Sequence, residues 1–435
     1  MTDIKIVIGA NAGDEGKGLM TDYFCYHAMQ KSNKCLVVCS NGGAQRGHTV
    51  ETPEGIRHVF HHFGSGTLVG ADTYLSKQFI LNPMIFREEY LQLQELGFTP
   101  KVYANLGCYI TTPYDMILNQ IIEDKRGENR HGSCGCGIWE TIVRETRSEN
   151  NELLKFRLDN VSQMYMEYLE SKQKWHELKC VLQYFQTSYV YDRLREEPFW
   201  SDKTDTVINY ELKNNQWYEL LNSKQLLHNY IEDLKFMLDH IEFVISDVFI
   251  RNYDQIVFEN GQGLLLDENM KEFGVHTTPS STGIKNPLEV INNAYSEEEQ
   301  EKEINLEVCY VSRTYLTRHG AGYLPDECSK EEISPNMETD LTNLPNQYQG
   351  TLRYGFISTR YLDKRTNEDY ELCKNKFLSK KMSCATTHVN ETNGKYAVSS
   401  DRYAGSWFII EKYVSDGKNR ESIMLNKDFR KKWGF

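Results

Sequence analysis

The sequence predicts an α/β fold: a central, mostly parallel twisted sheet with surrounding helices and one helical insertion. Three observations carry this. A short apolar strand, Ile4-Lys5-Ile6-Val7-Ile8, runs into a glycine-rich loop, then a helix over Leu19 to Met29 and a second strand, Cys35-Leu36-Val37-Val38-Cys39. The strand-then-loop rhythm returns at Val257-Phe258-Glu259 and Val308-Cys309-Tyr310-Val311. Between them, about residues 151–244, glycine almost disappears and Glu, Lys, Leu, Tyr and Gln dominate, the composition of several helices.

Strand, loop, helix and strand in that order form the parallel α/β unit. Ile80 to Leu96 has helical spacing, with Asn82-Pro83 as a start signal. Ser329 to Gln349 is polar, holds Pro335 and Pro345, and reads as a long surface loop. A chain of 435 residues is long enough for two domains. The helical stretch reads instead as an insertion beside the sheet, so residues 1–435 are expected to be one domain.

Hydrophobic residues make up 40% and charged residues 26%, ordinary values for a globular protein. A formal charge of −13 argues against a broad nucleic-acid-binding face, yet permits small anionic ligands held by local donors. Neither a signal peptide nor a membrane span is expected. Eleven scattered cysteines, with only Cys134 and Cys136 close together, fit reduced thiols in a cytoplasmic protein better than a disulfide or zinc framework.

The chemistry concentrates in two loops that follow strands. In Gly9-Ala10-Asn11-Ala12-Gly13-Asp14-Glu15-Gly16-Lys17-Gly18, glycines free backbone N–H groups to close on phosphate, and Lys17 adds a mobile charge. Asn11 stands where a Walker A loop has its first glycine, and Gly18 where it has Ser or Thr, so the loop is not a standard P-loop. The second loop, Asn41 to Val50, brings His48 to the end of a neighbouring strand. A carboxylate at Asp14 and an imidazole at His48 then face the edge where open α/β sheets bind ligands.

Together the two loops resemble the adenylosuccinate synthetase family, whose Gly-Asp-Glu-Gly-Lys-Gly loop and later Gly-His-Thr they reproduce in order. The resemblance implies a P-loop-related fold and a purine-biosynthetic ligase. That ligase moves the γ-phosphoryl group of GTP to the 6-oxygen of IMP, and aspartate then displaces the phosphate. It implies Asp14 as general base and Mg2+ ligand, with Gly47 backbone also at the metal, and His48 as general acid. Gly13, Glu15, Gly16, Lys17 and Gly18 would contact phosphate, and Gln45 the monophosphate.

Further motifs extend the resemblance. Gly132-Ser133-Cys134-Gly135-Cys136-Gly137-Ile138 is similar to the 5′-phosphate loop, giving Ser133 and Cys134 as contacts. Arg144 or Arg147 would match the arginine lent to a neighbouring subunit, hence an expected homodimer. Glu259-Asn260-Gly261-Gln262-Gly263 implies Gln262, with Thr277 after it, as nucleotide contacts. Leu81-Asn82-Pro83, Thr112-Pro113-Tyr114-Asp115 and Thr317-Arg318-His319-Gly320-Ala321-Gly322 match scaffold segments, and Ser415 with Gly417 the guanine-facing stretch.

Three departures fall on recognition. The arginine-rich amino-acid loop becomes Gly350-Thr351-Leu352-Arg353-Tyr354-Gly355, leaving Thr351 and Arg353 to meet the amine donor. Asn390 stands where the family has the guanine-reading aspartate, so ATP competes with GTP as donor. Gln45 replaces an asparagine, with Arg46 adding charge beside it, which points to an altered purine monophosphate. The expectation is a Mg2+-dependent C–N ligase acting on an IMP-like nucleotide with aspartate by default. A variant ligase, including a phage-type enzyme acting on a guanine nucleotide, and a nucleotide-binding sensor or partner protein are the alternatives.

Overall fold

A computed structural model describes residues 1–171, 175–213, 216–337, 350–398 and 410–433. Among these, ten strands build one sheet: β1 Thr2–Gly9, β2 Cys35–Cys39, β3 Asp72–Leu75, β4 Val102–Asn105, β5 Glu242–Val244, β6 Gln255–Gly263, β7 Ile304–Arg313, β8 Ser379–Thr387, β9 Glu411–Ser415 and β10 Ile423–Leu425. Their order is β10-β9-β8-β7-β1-β6-β2-β3-β4-β5. Every neighbouring pair is parallel except β9 with β10.

Alternation in β1 explains its central place. Ile4, Ile6 and Ile8 enter one apolar cluster and Val7 the other, so both faces are buried, as a parallel strand covered by helices requires. Helix α1, Lys17–Met29, packs Leu19, Met20, Phe24 and Cys25 into the Val7 side. The helix Lys285–Ala294 covers the opposite side through Leu288, Val290 and Ile291. β6 and β7 flank β1 on its two sides, so the strand order reverses there and opens a crevice at the carboxyl ends.

The helical stretch is present from Leu158 to His240, with a π-helical turn over Phe185–Tyr189. Its Leu178, Leu182, Phe185 and Leu234 join the apolar cluster that holds Val7 and Val37 of the sheet. The Asn82-Pro83 signal is sharper than the spacing around it. The helix is Pro83–Glu95, capped by the Asn82 side chain accepting from the Met84 and Ile85 N–H groups, while Ile80–Leu81 forms a short strand. Thr112 to Asp115 is a capping box that starts the helix Pro113–Arg126, which accounts for that motif without any ligand. The polar stretch from Ser329 begins with a capped helix, Lys330–Ile333, rather than a loop, and 338–349 lie outside the described residues. No helix among the described residues is long and apolar enough to cross a membrane.

Candidate active site

The carboxyl ends of β1, β6, β7 and β8 border a cleft of about 650 Å³. The loop after β1 enters it with an internal anion. The Glu15 carboxylate turns inward, accepting from the N–H groups of Asn11 and Gly13, both at 2.9 Å, and from Lys17 Nζ at 3.0 Å. Burial alone would raise this carboxyl, but Lys17 and the backbone donors outweigh it and hold it below its ordinary value. Part of the expected phosphate cradle is therefore satisfied from within. The donors left for a ligand are those opening α1, whose N-cap Gly16 is left-handed at φ 93° and whose first turn has no side-chain cap.

Gly18 has a packing reason that the Walker comparison lacks. A Cβ there would stand 3.0 Å from the Thr49 carbonyl oxygen and 3.1 Å from His48 Cβ and Ser65 Oγ. Helix α1 lies directly on the strand that carries His48. Close approach recurs at the end of β6, where a Cβ on Gly263 would fall 2.1 Å from the Asn11 carbonyl oxygen.

Asp14 lines the cleft in a left-handed conformation, φ 61°. Its carbonyl accepts from Arg313 Nε, and the carbonyl of Gly13 accepts from Thr317 Oγ1 at 3.2 Å. His48 sits across the loop junction with both ring nitrogens engaged. Nδ1 lies 3.0 Å from Glu259 Oε1, and Nε2 lies 3.2 Å from the Gly261 carbonyl oxygen. Burial lowers the His48 pKa, Glu259 raises it, and Arg46 and Lys17 lower it again. Glu259, at 0% exposure, is held down at about 2: burial opposes ionisation, but His48 and Arg46 win. The imidazole thus keeps an anion behind it and a carbonyl at its other nitrogen.

The side-chain amides of the cleft follow. Both side-chain polar atoms of Gln45 are buried without a partner. Gln262 Oε1 accepts from Asn41 Nδ2 at 3.4 Å, and Asn41 Oδ1 accepts from the Gly261 N–H at 2.8 Å, which ties the second loop to β6. Asn390, Gly417 and Gly47 also line the cleft. Arg46 lines the cleft, yet most of its donors are spent within the fold. It is buried at 2% exposure and donates to the carbonyls of His61, His62 and Phe63, with Glu259 at 3.6 Å.

Several expected contacts lie elsewhere: Ser133, Cys134, Arg144, Thr277, Thr351, Arg353 and Ser415 do not line this cleft. The N–H groups of His131, Gly132 and Ser133 donate to Glu123, and Ser133 Oγ donates to Asn119. A hydrogen bond from Cys136 lowers the Cys134 thiol and raises its own. Thr277 is half-exposed, 3.5 Å from the Gly274 carbonyl oxygen; Thr351 is exposed; Ser415 donates to the Gly417 carbonyl at 3.0 Å. Arg353 is already paired, with Nε 2.7 Å from Glu327 and Nη1 donating to the carbonyls of Gly320 and Gly322.

Arg144 is spent inside the fold. It has 0% exposure and spends its N–H groups on Asp115, Glu145 and the carbonyls of Leu154 and Ile110. Nothing is left for a neighbouring subunit. Arg147, partly exposed and paired with Glu196, remains on the surface. Arg144→Ala is expected to cost about 3–5 kcal/mol of stability, because two buried carboxylates lose a partner. Denaturant unfolding checks this; an unchanged midpoint with weakened nucleotide binding would return Arg144 to a ligand role.

Arg313, Tyr315, His319, His388, Glu391 and Lys418 join the lining without having been expected. Only the strand ending at Arg313 carried a signal, since the end of a central parallel strand faces the crevice. The expected Mg2+ donors, the Asp14 carboxylate and the Gly47 backbone, both lie on the cleft wall. No cluster of three ligating side chains exists among the described residues. A single carboxylate suits this ion, which keeps waters and takes phosphate oxygens from its substrate. The residues present fit it.

Known proteins agree with this architecture. The family model described as adenylosuccinate synthetase matches residues 6–353. The adenylosuccinate synthetase of Microcystis aeruginosa is 28% identical over 330 residues, 75% of this chain and 63% of that protein. That of Trichodesmium erythraeum is 27% identical over 338 residues, 75% and 64% of the two chains. This chain thus spans less than two thirds of the length of these relatives. Fully ligated adenylosuccinate synthetase from Plasmodium falciparum superposes with a TM-score of 0.61 at 16% identity, covering 97% of this chain and 99% of that one. Cyanophage S-2L succinoaminodeoxyadenylate synthetase, PurZ, bound to dGMP and to dATP as an energy donor, gives 0.60 at 12%, covering 100% and 99%. At these identities the two structures speak for the fold, and the family match for descent. The chain belongs to the adenylosuccinate synthetase family.

Proposed function

We propose that this protein is a nucleoside triphosphate-dependent C–N ligase that phosphorylates the 6-oxo group of a purine nucleoside monophosphate and replaces it with an amine, L-aspartate by default. The observation that carries it is the convergence of Asp14, Lys17, Gln45, His48 and Gln262 on one cleft, with Glu259 behind His48. Asp14 takes the proton from purine N1, so charge gathers on the 6-oxygen, which attacks the γ-phosphorus and displaces the nucleoside diphosphate. His48, backed by Glu259, turns its Nε2–H from the Gly261 carbonyl to the developing charge, and Lys17 with the opening N–H groups of α1 offsets the phosphates. The amine then attacks C6 and phosphate leaves. Asp14 and the Gly47 backbone would hold Mg2+, which would supply positive charge against the phosphates. The continuous apolar cluster supports one domain over 1–435 with the insertion at about 151–244. Eleven free thiols support a cytoplasmic setting, and Arg147 is the arginine left to serve a homodimer.

A second reading, a variant ligase acting on a guanine nucleotide with an adenine nucleotide as donor, draws on Asn390 at the cleft and on the ligands of the phage structure. Asp14 favours the first, since the resemblance implies that the phage-type group lacks this aspartate. The assay combines protein, Mg2+, aspartate, IMP or dGMP, and GTP or ATP, and follows phosphate and product mass. IMP-dependent phosphate without an aspartate adduct would remove aspartate and keep the phosphoryl transfer. Nucleotide binding with no turnover on any 6-oxopurine would leave a sensor. Asn390→Asp restores a paired acceptor and is expected to raise the preference for GTP over ATP by about tenfold or more. Donor competition measures it, and an unchanged ratio would place base recognition elsewhere.

A further inference from the structure

We infer that His319 is a positioning residue that fixes the Asp14 carboxylate. The inference rests on the role proposed above for Asp14 and adds the group that aims it. His319 Nε2 stands 3.8 Å from Asp14 Oδ2, and its Nδ1 is buried without a partner on the cleft wall. A separation of that size is one small tightening away from a hydrogen bond, and catalytic contacts commonly close only when substrate is bound.

The backbone supports this geometry from the same side. Thr317, two residues before His319, donates to the Gly13 carbonyl, so the strand Leu316–Arg318 is fastened to the loop that carries Asp14. That strand pairs antiparallel with Arg353–Gly355, placing Arg318 opposite Arg353. Arg353 then clamps the carbonyls of Gly320 and Gly322 and is neutralised by Glu327. From a third direction Gly132 presses on the turn, since a Cβ there would fall 2.7 Å from the Ala321 nitrogen. The arginine that looks like the remnant of an amino-acid loop thus holds the turn bearing His319. Among the described residues, the one charged group within 4 Å of this imidazole is Asp14.

The backbone of Asp14 is fixed, its carbonyl taken by Arg313 and its φ left-handed at 61°, so the aim of its carboxylate rests on its side-chain torsions and on what faces it across the cleft. An N–H directed at one carboxylate oxygen leaves the other free to accept the purine proton.

The test compares His319→Leu with His319→Gln, whose amide reaches the position of Nε2 and still donates. Leu is expected to lower kcat by about 10- to 100-fold with KM for the monophosphate nearly unchanged, and Gln to recover most of the loss. A purely structural role would not separate kcat from KM in this way, nor be rescued by Gln alone. Where Leu does not fold, His319→Asn, too short to reach Asp14, replaces it in the same comparison. Unchanged kcat in the Leu variant, or a Gln variant as impaired as Leu at equal thermal stability, overturns the inference alone. A wild-type protein that releases no phosphate with any 6-oxopurine nucleotide overturns the role of Asp14 and the inference with it.

Discussion

Asp14→Asn is expected to reduce purine-dependent phosphate release by about 10³-fold while leaving nucleotide affinity within about fivefold. The substitution is unusually clean at this position. Asp14 adopts φ 61°, and asparagine is one of the few residues that enters the left-handed region without much strain. The backbone hold by Arg313 on the Asp14 carbonyl does not involve the side chain and survives the change. What disappears is the negative charge and its capacity to take a proton. An alanine would confound that loss with backbone strain of the order of 1 kcal/mol. Steady-state phosphate release and calorimetric nucleotide titration separate the outcomes. Persistent turnover would place the base elsewhere, and a collapse in affinity would make Asp14 a binding group rather than a chemical one.

How much of this could be read from sequence differs by residue, for physical reasons. The loop after β1 is legible because glycine, strand alternation and helix spacing are all local, and β1, α1 and β2 fall where they are expected. Asp14, Lys17 and His48 come to the cleft because the loops after parallel strands all open on one edge. Charges are where local reading fails. Arg46 and Arg144 look like surface or ligand arginines, yet each is claimed by carbonyls and carboxylates that only the folded chain brings near. Glu15 looks like a ligand contact and, while it lines the cleft, its carboxylate also fills its own loop. Glu259 is visible in a motif, but its partner His48 is 211 residues away, and no spacing rule connects them. The same limit hides His319, whose meaning comes from a loop near the opposite end of the chain.

Glu259→Gln carries the other large effect and tests the long-range pair directly. The proposed acid is His48 bearing a proton on Nε2, and the Gly261 carbonyl at 3.2 Å favours that proton. Burial, reinforced by Arg46 and Lys17, pulls the His48 pKa below its ordinary value, and Glu259 is the group that counters them. Glu259 itself stays ionised down to about pH 2, so it supplies a full charge throughout the working range. Glutamine keeps the shape and removes the charge, so the pKa of His48 must fall further. A rate that depends on protonated His48 declines as pH rises through that pKa. In the variant the decline therefore begins at lower pH, and kcat near neutrality is expected to drop by about 10²-fold. Arg46 keeps its carbonyl acceptors at His61, His62 and Phe63, which limits the accompanying structural loss. A pH–rate profile from about pH 5 to 9 decides the matter. If the variant is slower by a constant factor with its limb unmoved, Glu259 orients the imidazole without sustaining its charge; if the limb moves up, the electrostatic assignment has the wrong sign.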